Sequence, residues 1–241
     1  MPFRIHFFEE LDSTNDTARE PCYDHGDVIV AERQRCGRGQ RGNAWSSAAG
    51  QNLTLSVVLR PDFLPAASQF SLLQCVALSV TDMLASSGLD ARIKWTNDIY
   101  IGDGKLAGIL MEQSLRGGYM DRCVAGIGMN VNQTEFEPWI PNPVSLALET
   151  GRRYDRTQLL ESLCRSMEER FGQLRKGSLG EISDDYHALL YRRGQESLFE
   201  LPSGQRLRAR VLGVRPGGEL MLETAGGQVR EFLFGQIKFV I

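Results

Sequence analysis

Residues 91–132 read ARIKWTNDIYIGDGKLAGILMEQSLRGGYMDRCVAGIGMNVN. Four β-prone runs, ARIKW, DIYI, KLAGILMEQSL and RCVAGIGMNVN, alternate there with short connections, two of them glycine-bearing turns at 102–104 and 117–118. Strands joined by so few residues must fold back on one another, because a parallel crossover needs a dozen residues or more. The stretch therefore predicts a mixed or antiparallel sheet rather than repeated βαβ units. Toward the N-terminus, residues 3–8, DVIVAE at 27–32 and QNLTLSVVL at 51–59 supply further strands. Ser13 or Thr14 can cap a short helix running to about Glu20, with Ser13 and Asp16 spaced as a capping box that uses the shorter acid. Phe70, Leu73, Ala77, Val80 and Leu84 fall on one stripe of a long helix that ends near Gly88. Beyond Asp155, the residues Leu160, Leu163, Met167 and Phe171 share a helical face, and a shorter helix is expected from Leu179 to Leu190.

Residues 191–241 differ in character. Glycine-bearing turns at 192–194, 203–204, 216–218 and 226–227 punctuate four or five short strands, one of which alternates Leu207, Ala209 and Val211 with Arg206, Arg208 and Arg210. That pattern predicts a small β-barrel of about 50 residues, with the three arginines on a solvated face. The expected fold is thus α+β: a mixed central sheet with packed helices over 1–190, followed by a small barrel domain over 191–241.

The chain has 241 residues, enough for a core without covalent staples, and 27 Lys and Arg against 30 Asp and Glu. This balance gives no whole-protein electrostatic footprint for nucleic acid or an anionic membrane. Five cysteines in no CxxC pair, and three histidines far apart in sequence, indicate neither a disulfide framework nor a zinc site. Acidic residues interrupt the N-terminus before any signal-length apolar run, so a soluble, cytoplasmic protein is expected.

The segment RQRCGRGQRGNAWSSAAG at 33–50 has neither helical nor strand periodicity, which marks it as a long loop that needs a reason to exist. Gly37 to Gly42 matches GxGxxG, yet Asn43-Ala44 stands where a P-loop needs Lys and Ser or Thr, and no helix follows as a dinucleotide fold requires. What remains is a glycine-rich backbone with Arg33, Arg35, Arg38 and Arg41 close by, an arrangement suited to an anion. The alternative is a mobile surface loop whose charges confer solubility. The four arginines are expected to repel one another until an anion arrives. In the second segment, Lys94 and Lys105 can reach phosphate or carboxylate oxygens, and Asp98 can hold Mg²⁺ brought in by a nucleotide. Taken singly, Trp95 reads as core and Asn97-Asp98 as a turn. Asn130 and Asn132 put carboxamides where a buried strand should continue, which calls for either a turn or a ligand.

With LDSTN at 11–15, these segments run in the order AERQRCGRGQRGNAW, NLTLSVVLRP, IKWTNDIY, KLAGILMEQ and GIGMNVN, and the series closely resembles the biotin protein ligases. The resemblance spans Leu11 to Asn132. It implies an α+β catalytic domain with an SH3-like C-terminal domain, and biotin and MgATP as substrates. It also implies formation of biotinyl-5′-AMP followed by transfer of biotin to one lysine of a biotin carboxyl carrier protein, as in acetyl-CoA carboxylase or a related carboxylase. On this likeness Ser13, Thr14, Asn15 and Gln34 line the biotin end. Arg38, Gly39, Gln40, Gly108 and Gly128 border biotin, and Arg38 and Lys105 contact the reacting carboxylate and phosphate. The remaining nucleotide-side residues are Arg41, Trp45, Lys94, Asn97, Asp98, Met129 and Asn130, with Asp98 also the carboxylate nearest Mg²⁺.

Two departures follow. Many family members carry a second arginine where this chain has Gln40, which bears on retention of the activated intermediate. Only about ten residues precede Asp12, so the DNA-binding helix-turn-helix of regulatory members is not expected. A homodimer agrees with the resemblance. The competing readings are a lipoate or octanoate ligase, whose family lacks KWTND followed by KLAG, and a nonenzymatic nucleotide or nucleic-acid-binding module built on the arginine-rich loop.

Overall fold

A computed structural model describes residues 3–241, with the side chain of Arg41 outside the described set. Seven strands form the larger sheet: β1 (Arg4–Leu11), β2 (Asp27–Gln34), β3 (Leu53–Leu59), β4 (Ala91–Lys94), β5 (Asp98–Ile101), β6 (Gly104–Arg116) and β7 (Tyr119–Met129). Their spatial order is β1-β2-β3-β7-β6-β5-β4. Only β1 and β2 run parallel; every other neighbour pair is antiparallel, so the sheet is mixed as the hairpin spacing requires. The parallel connection passes through α1 (Thr14–Ala18), whose cap Ser13 accepts the Asp16 N–H.

The long helix α2 (Gln69–Ser86) is buried on more than the expected stripe: Leu72, Cys75, Val76, Leu78 and Met83 are as enclosed as Ala77, Val80 and Leu84. It lies between the sheet and two later helices, α4 (Arg156–Arg175) and α5 (Leu179–Ala188), so apolar residues are favoured all round it. Its buried hydroxyls are satisfied locally, Ser79 donating to Cys75 O and Thr81 to Leu78 O. The cap of α4 is Asp155, which accepts from the N–H groups of Thr157 and Gln158, and Arg170 cross-links α4 to Asp82 of α2 at 2.6 Å. The short α3 (Leu146–Thr150) ends at Gly151 in the left-handed conformation.

The C-terminal strands are β8 (Glu196–Glu200), β9 (Arg206–Val214), β10 (Leu220–Thr224), β11 (Val229–Phe232) and β12 (Lys238–Phe239). Arg206, Arg208 and Arg210 are exposed on β9, opposite Ala209 and Val211. These strands do not form the expected barrel. The order β11-β10-β9-β8-β12 leaves β11 and β12 as separate edges, and the sheet stays open. Closure would need the two edges to pair, but β12 is two residues long and bonds to Phe199 and Glu200 of β8, while β11 bonds to β10. The inner face is covered by the rest of the molecule instead, and Phe199, Val211, Leu222 and Phe232 join one continuous core with α2 and the larger sheet. Ile93 N–H donates to Leu189 O and Ile93 O accepts from the Tyr191 N–H, and Trp95 Nε1 donates to Gly218 O at 2.8 Å.

A buried carboxylate ties down the parallel edge. Asp27 on β2 accepts from Arg4 at 2.8 and 2.9 Å and from Asp24 N–H at 2.6 Å, and His6 Nε2 lies 2.8 Å away. The Arg4 guanidinium above all, helped by these neighbours, holds the Asp27 carboxyl well below the usual carboxylate range despite burial. Because the folded value is depressed, the stabilisation is complete above about pH 4 and is lost as pH falls below it. Asp27→Asn should cost about 2 kcal/mol at pH 7. In urea titrations repeated from neutral pH to about pH 2, the gap from wild type should narrow once pH drops below about 4; a constant gap would show that the charge is not responsible.

Candidate active site

A cleft of about 240 Å³ opens where β6 and β7 meet α1, the segment after β2 and the edge of the smaller sheet. Its floor lacks side chains because glycines face each other across the strands, Gly108 opposite Gly128. A Cβ at Gly128 would stand 2.3 Å from Cε2 of Trp45, and one at Gly126 would stand 2.1 Å from Oδ1 of Asn15. The glycines therefore make room for an indole and a carboxamide. The Trp45 Nε1–H is buried without a hydrogen-bond partner among the described residues, a donor that costs about 1–3 kcal/mol until something accepts from it.

One end of the cleft is a closed polar web. Gln34 Oε1 accepts from the Thr14 N–H at 2.7 Å and from its hydroxyl at 3.0 Å. Ser56 Oγ lies 2.8 Å from Thr14 Oγ1 and 2.6 Å from Asn15 Oδ1, and Asn15 Nδ2 donates to Glu112 at 2.9 Å. Ser13, Thr14, Asn15 and Ser56 are all buried, so their orientation is fixed by these bonds before any ligand arrives.

Cations occupy the other side. Lys105 Nζ is 2.7 Å from Asp98 Oδ1 and 5.8 Å from the centre of the Trp45 ring. Lys94 Nζ bonds to Tyr100 Oη at 3.2 Å and lies over the rings of Tyr100 and Phe239; its burial lowers the ammonium pKa, with Asp98 acting in the opposite sense. The Asn97 amide donates to Ile109 O and receives the Thr96 hydroxyl, which fixes the turn between β4 and β5. The Trp95–Thr96 peptide within it is cis.

The expected loop repulsion is absent, since each described arginine has found a carboxylate outside the loop. Arg33 pairs with Glu10 at 3.1 Å, Arg35 with Asp12 at 2.7 Å, and Arg38 with Glu112 at 2.7 Å and Asp16 at 2.8 Å. These partners come from β1, β6 and the residues around α1, which are distant in sequence.

Of the expected site residues whose side chains are described, all but two line this cleft, from Ser13 to Gly128. Met129 belongs to the core, and the Asn130 amide donates to the backbone, to Val144 O at 3.0 Å and Lys105 O at 3.4 Å. Asn132 likewise exchanges bonds with the backbone of Tyr154, so both carboxamides are explained by loop anchoring. The Arg41 side chain lies outside the described residues. Sequence reasoning missed Ser56 and Glu112, which bond to Thr14 and Asn15 of the web, and the wall formed by Leu220, Phe234, Ile237 and Phe239 of the C-terminal part. Glu112 stood inside the KLAGILMEQ motif, while the wall carried no local signal.

Residues 7–130 match the model of the biotin/lipoate A/B protein ligase family. The chain is 33% identical to the biotin--[acetyl-CoA-carboxylase] ligase of Paracoccus denitrificans, over 93% of this chain and 98% of that protein. It is also 31% identical to the bifunctional ligase/repressor BirA of Bacillus spizizenii, over 94% of this chain and 71% of the relative. A solved biotin protein ligase from Aquifex aeolicus, in complex with biotin and ATP, superposes with a TM-score of 0.83 at 27% identity and 98% coverage of both chains. The chain belongs to the biotin/lipoate A/B protein ligase family. Within it, the protein is an enzyme of the biotin protein ligase kind.

The floor can be tested directly. Gly128→Ala should expel the Trp45 indole and shift part of the tryptophan emission to the red, with little change in the urea midpoint. An unchanged emission spectrum would show that Trp45 keeps its seat.

Proposed function

We propose that this cleft carries out both half-reactions of an ATP-dependent biotin protein ligase. The observation that carries the reading is the convergence, in one cleft, of the Thr14–Asn15–Gln34 web with Arg38 and Lys105. Residues 1–190 form the catalytic part and 191–241 the C-terminal part.

In the first step a biotin carboxylate oxygen bonds to the α-phosphorus of ATP, the bond to the β-phosphate breaks, and pyrophosphate leaves. Two anions must come together, so the requirement is for fixed cations and N–H donors more than for a general base. Thr14, Asn15 and Gln34 present satisfied but still bond-capable polar groups to the ureido end of biotin, and Ser13 borders them. Gly39, Gly108 and Gly128 let the ligand lie against backbone. Arg38 and Lys105 act on the carboxylate and α-phosphate, with Gln40 as a neutral donor beside them. Lys94 and the free Trp45 N–H serve the nucleotide, and the Asn97 turn holds Asp98 next to Lys105.

Mg²⁺ brought in with the triphosphate would neutralise phosphate charge. Among the described residues no three His, Cys, Asp or Glu side chains gather as a metal cage, and Asp98 is the carboxylate placed to meet the ion beside Lys105. In the second step the neutral amine of a carrier lysine attacks the acyl carbon, the bond to AMP breaks, and the amine loses a proton. The carrier is a biotin carboxyl carrier protein or domain.

Incubation with labelled biotin, ATP and a carrier domain should give a labelled carrier, with release of AMP and pyrophosphate. Lys105→Ala should lower biotin-dependent pyrophosphate exchange by roughly 10²- to 10³-fold, as expected for loss of one transition-state charge contact. Exchange at the wild-type rate in that variant would rule out the role assigned to Lys105.

A further inference from the structure

The segment from Gly37 to Trp45 folds on itself. Gly39 N–H donates to Asn43 O, Trp45 N–H donates to Gly37 O, and Arg38 bridges to Ala44. Backbone bonds to the surrounding protein lie at its margins, from Arg35 to Leu11 O, from Cys36 to Asp12 O and, on the far side, from Gly50 to Glu32 O. Across the cleft itself, side chains make the connection: Trp45 rests on Gly108 and Gly128, and Arg38 reaches Glu112.

The Arg38 contact has the geometry of a clasp. Its two terminal nitrogens donate to the two oxygens of Glu112 at 3.2 and 2.7 Å, the fork-to-fork arrangement that only a planar guanidinium and a carboxylate make. Asp16 takes a further bond from NH2 at 2.8 Å, and Arg19 approaches the other Glu112 oxygen at 3.8 Å. The same Glu112 carboxylate accepts from Asn15. One side chain on rigid β6 thereby joins α1 to the glycine-rich segment, two elements that border the ligand from different sides.

We propose that Glu112 is a positioning residue that latches the 37–45 segment over the cleft through Arg38, and so sets how long the activated intermediate stays bound. This rests on the ligase reading. Glu112 reaches the intermediate only through Arg38 and Asn15, because it does not itself line the cleft.

The test loads wild type, Glu112→Gln, Arg38→Met and the double variant with labelled biotinyl-5′-AMP, then follows its release into an excess of unlabelled compound. Glu112→Gln keeps the side-chain length but lacks the charge and one acceptor oxygen, and should release about tenfold faster than wild type. Arg38→Met should also release faster, and adding Glu112→Gln to it should change the rate by less than about twofold, since the clasp is already gone. Circular dichroism melts of the loaded and free proteins verify that each variant is folded. Release from Glu112→Gln at the wild-type rate, or an equal acceleration by Glu112→Gln in both backgrounds, would overturn the latch. If wild type fails to bind biotinyl-5′-AMP at all, the ligase reading falls with it; if wild type biotinylates a carrier while Glu112→Gln releases normally, the latch alone is wrong.

Discussion

The site depends on two adjacent antiparallel strands that carry glycines at three positions where neighbouring side chains press against them. Gly108, Gly126 and Gly128 remove the Cβ atoms that would otherwise fill the space above β6 and β7. A methyl at 126 would displace Asn15 and one at 128 would displace Trp45, so the placement of both flanking elements follows from the same absence. Glycine weakens a strand, and this trough is viable because both strands are central, with β3 and β5 completing their ladders.

Around that trough the charges are arranged in pairs rather than left free. Lys105 is held by Asp98 and Arg38 by Glu112 and Asp16, so each cation is oriented before a substrate enters. Such pre-orientation spares the reaction the cost of organising donors around an anion as it forms. It also changes what the ligand must do on arrival, since it shares cations with carboxylates already present.

Much of this was legible from residues. The hairpin spacing after residue 91 carried the mixed sheet, and Asp155 with its apolar series carried α4, because these signals are local. Motif order pointed to the glycine-rich segment, Lys105 and the Thr14–Asn15 end, which line one cleft. What failed was whatever depends on distant partners. The arginines of 33–41 looked mutually repulsive because no acid lies within the loop, yet Glu10, Asp12, Asp16 and Glu112 reach Arg33, Arg35 and Arg38 from elsewhere. The closed barrel failed for a related reason: short strands and turns specify a curved sheet, but whether its edges meet depends on what covers its inner face. Asn130 and Asn132 were ambiguous until the backbone of Val144 and Tyr154 was in place to receive them.

The smaller sheet closes one wall of the cleft with Leu220, Phe234, Ile237 and Phe239, and Trp95 is fastened to it through Gly218. The residues proposed to bind and activate in this cleft all precede position 129. The groups assigned to the chemistry and the apolar wall beside them thus come from stretches of the chain some ninety residues apart, and loss of the wall would strip the cleft of its apolar side while leaving those groups in the sequence.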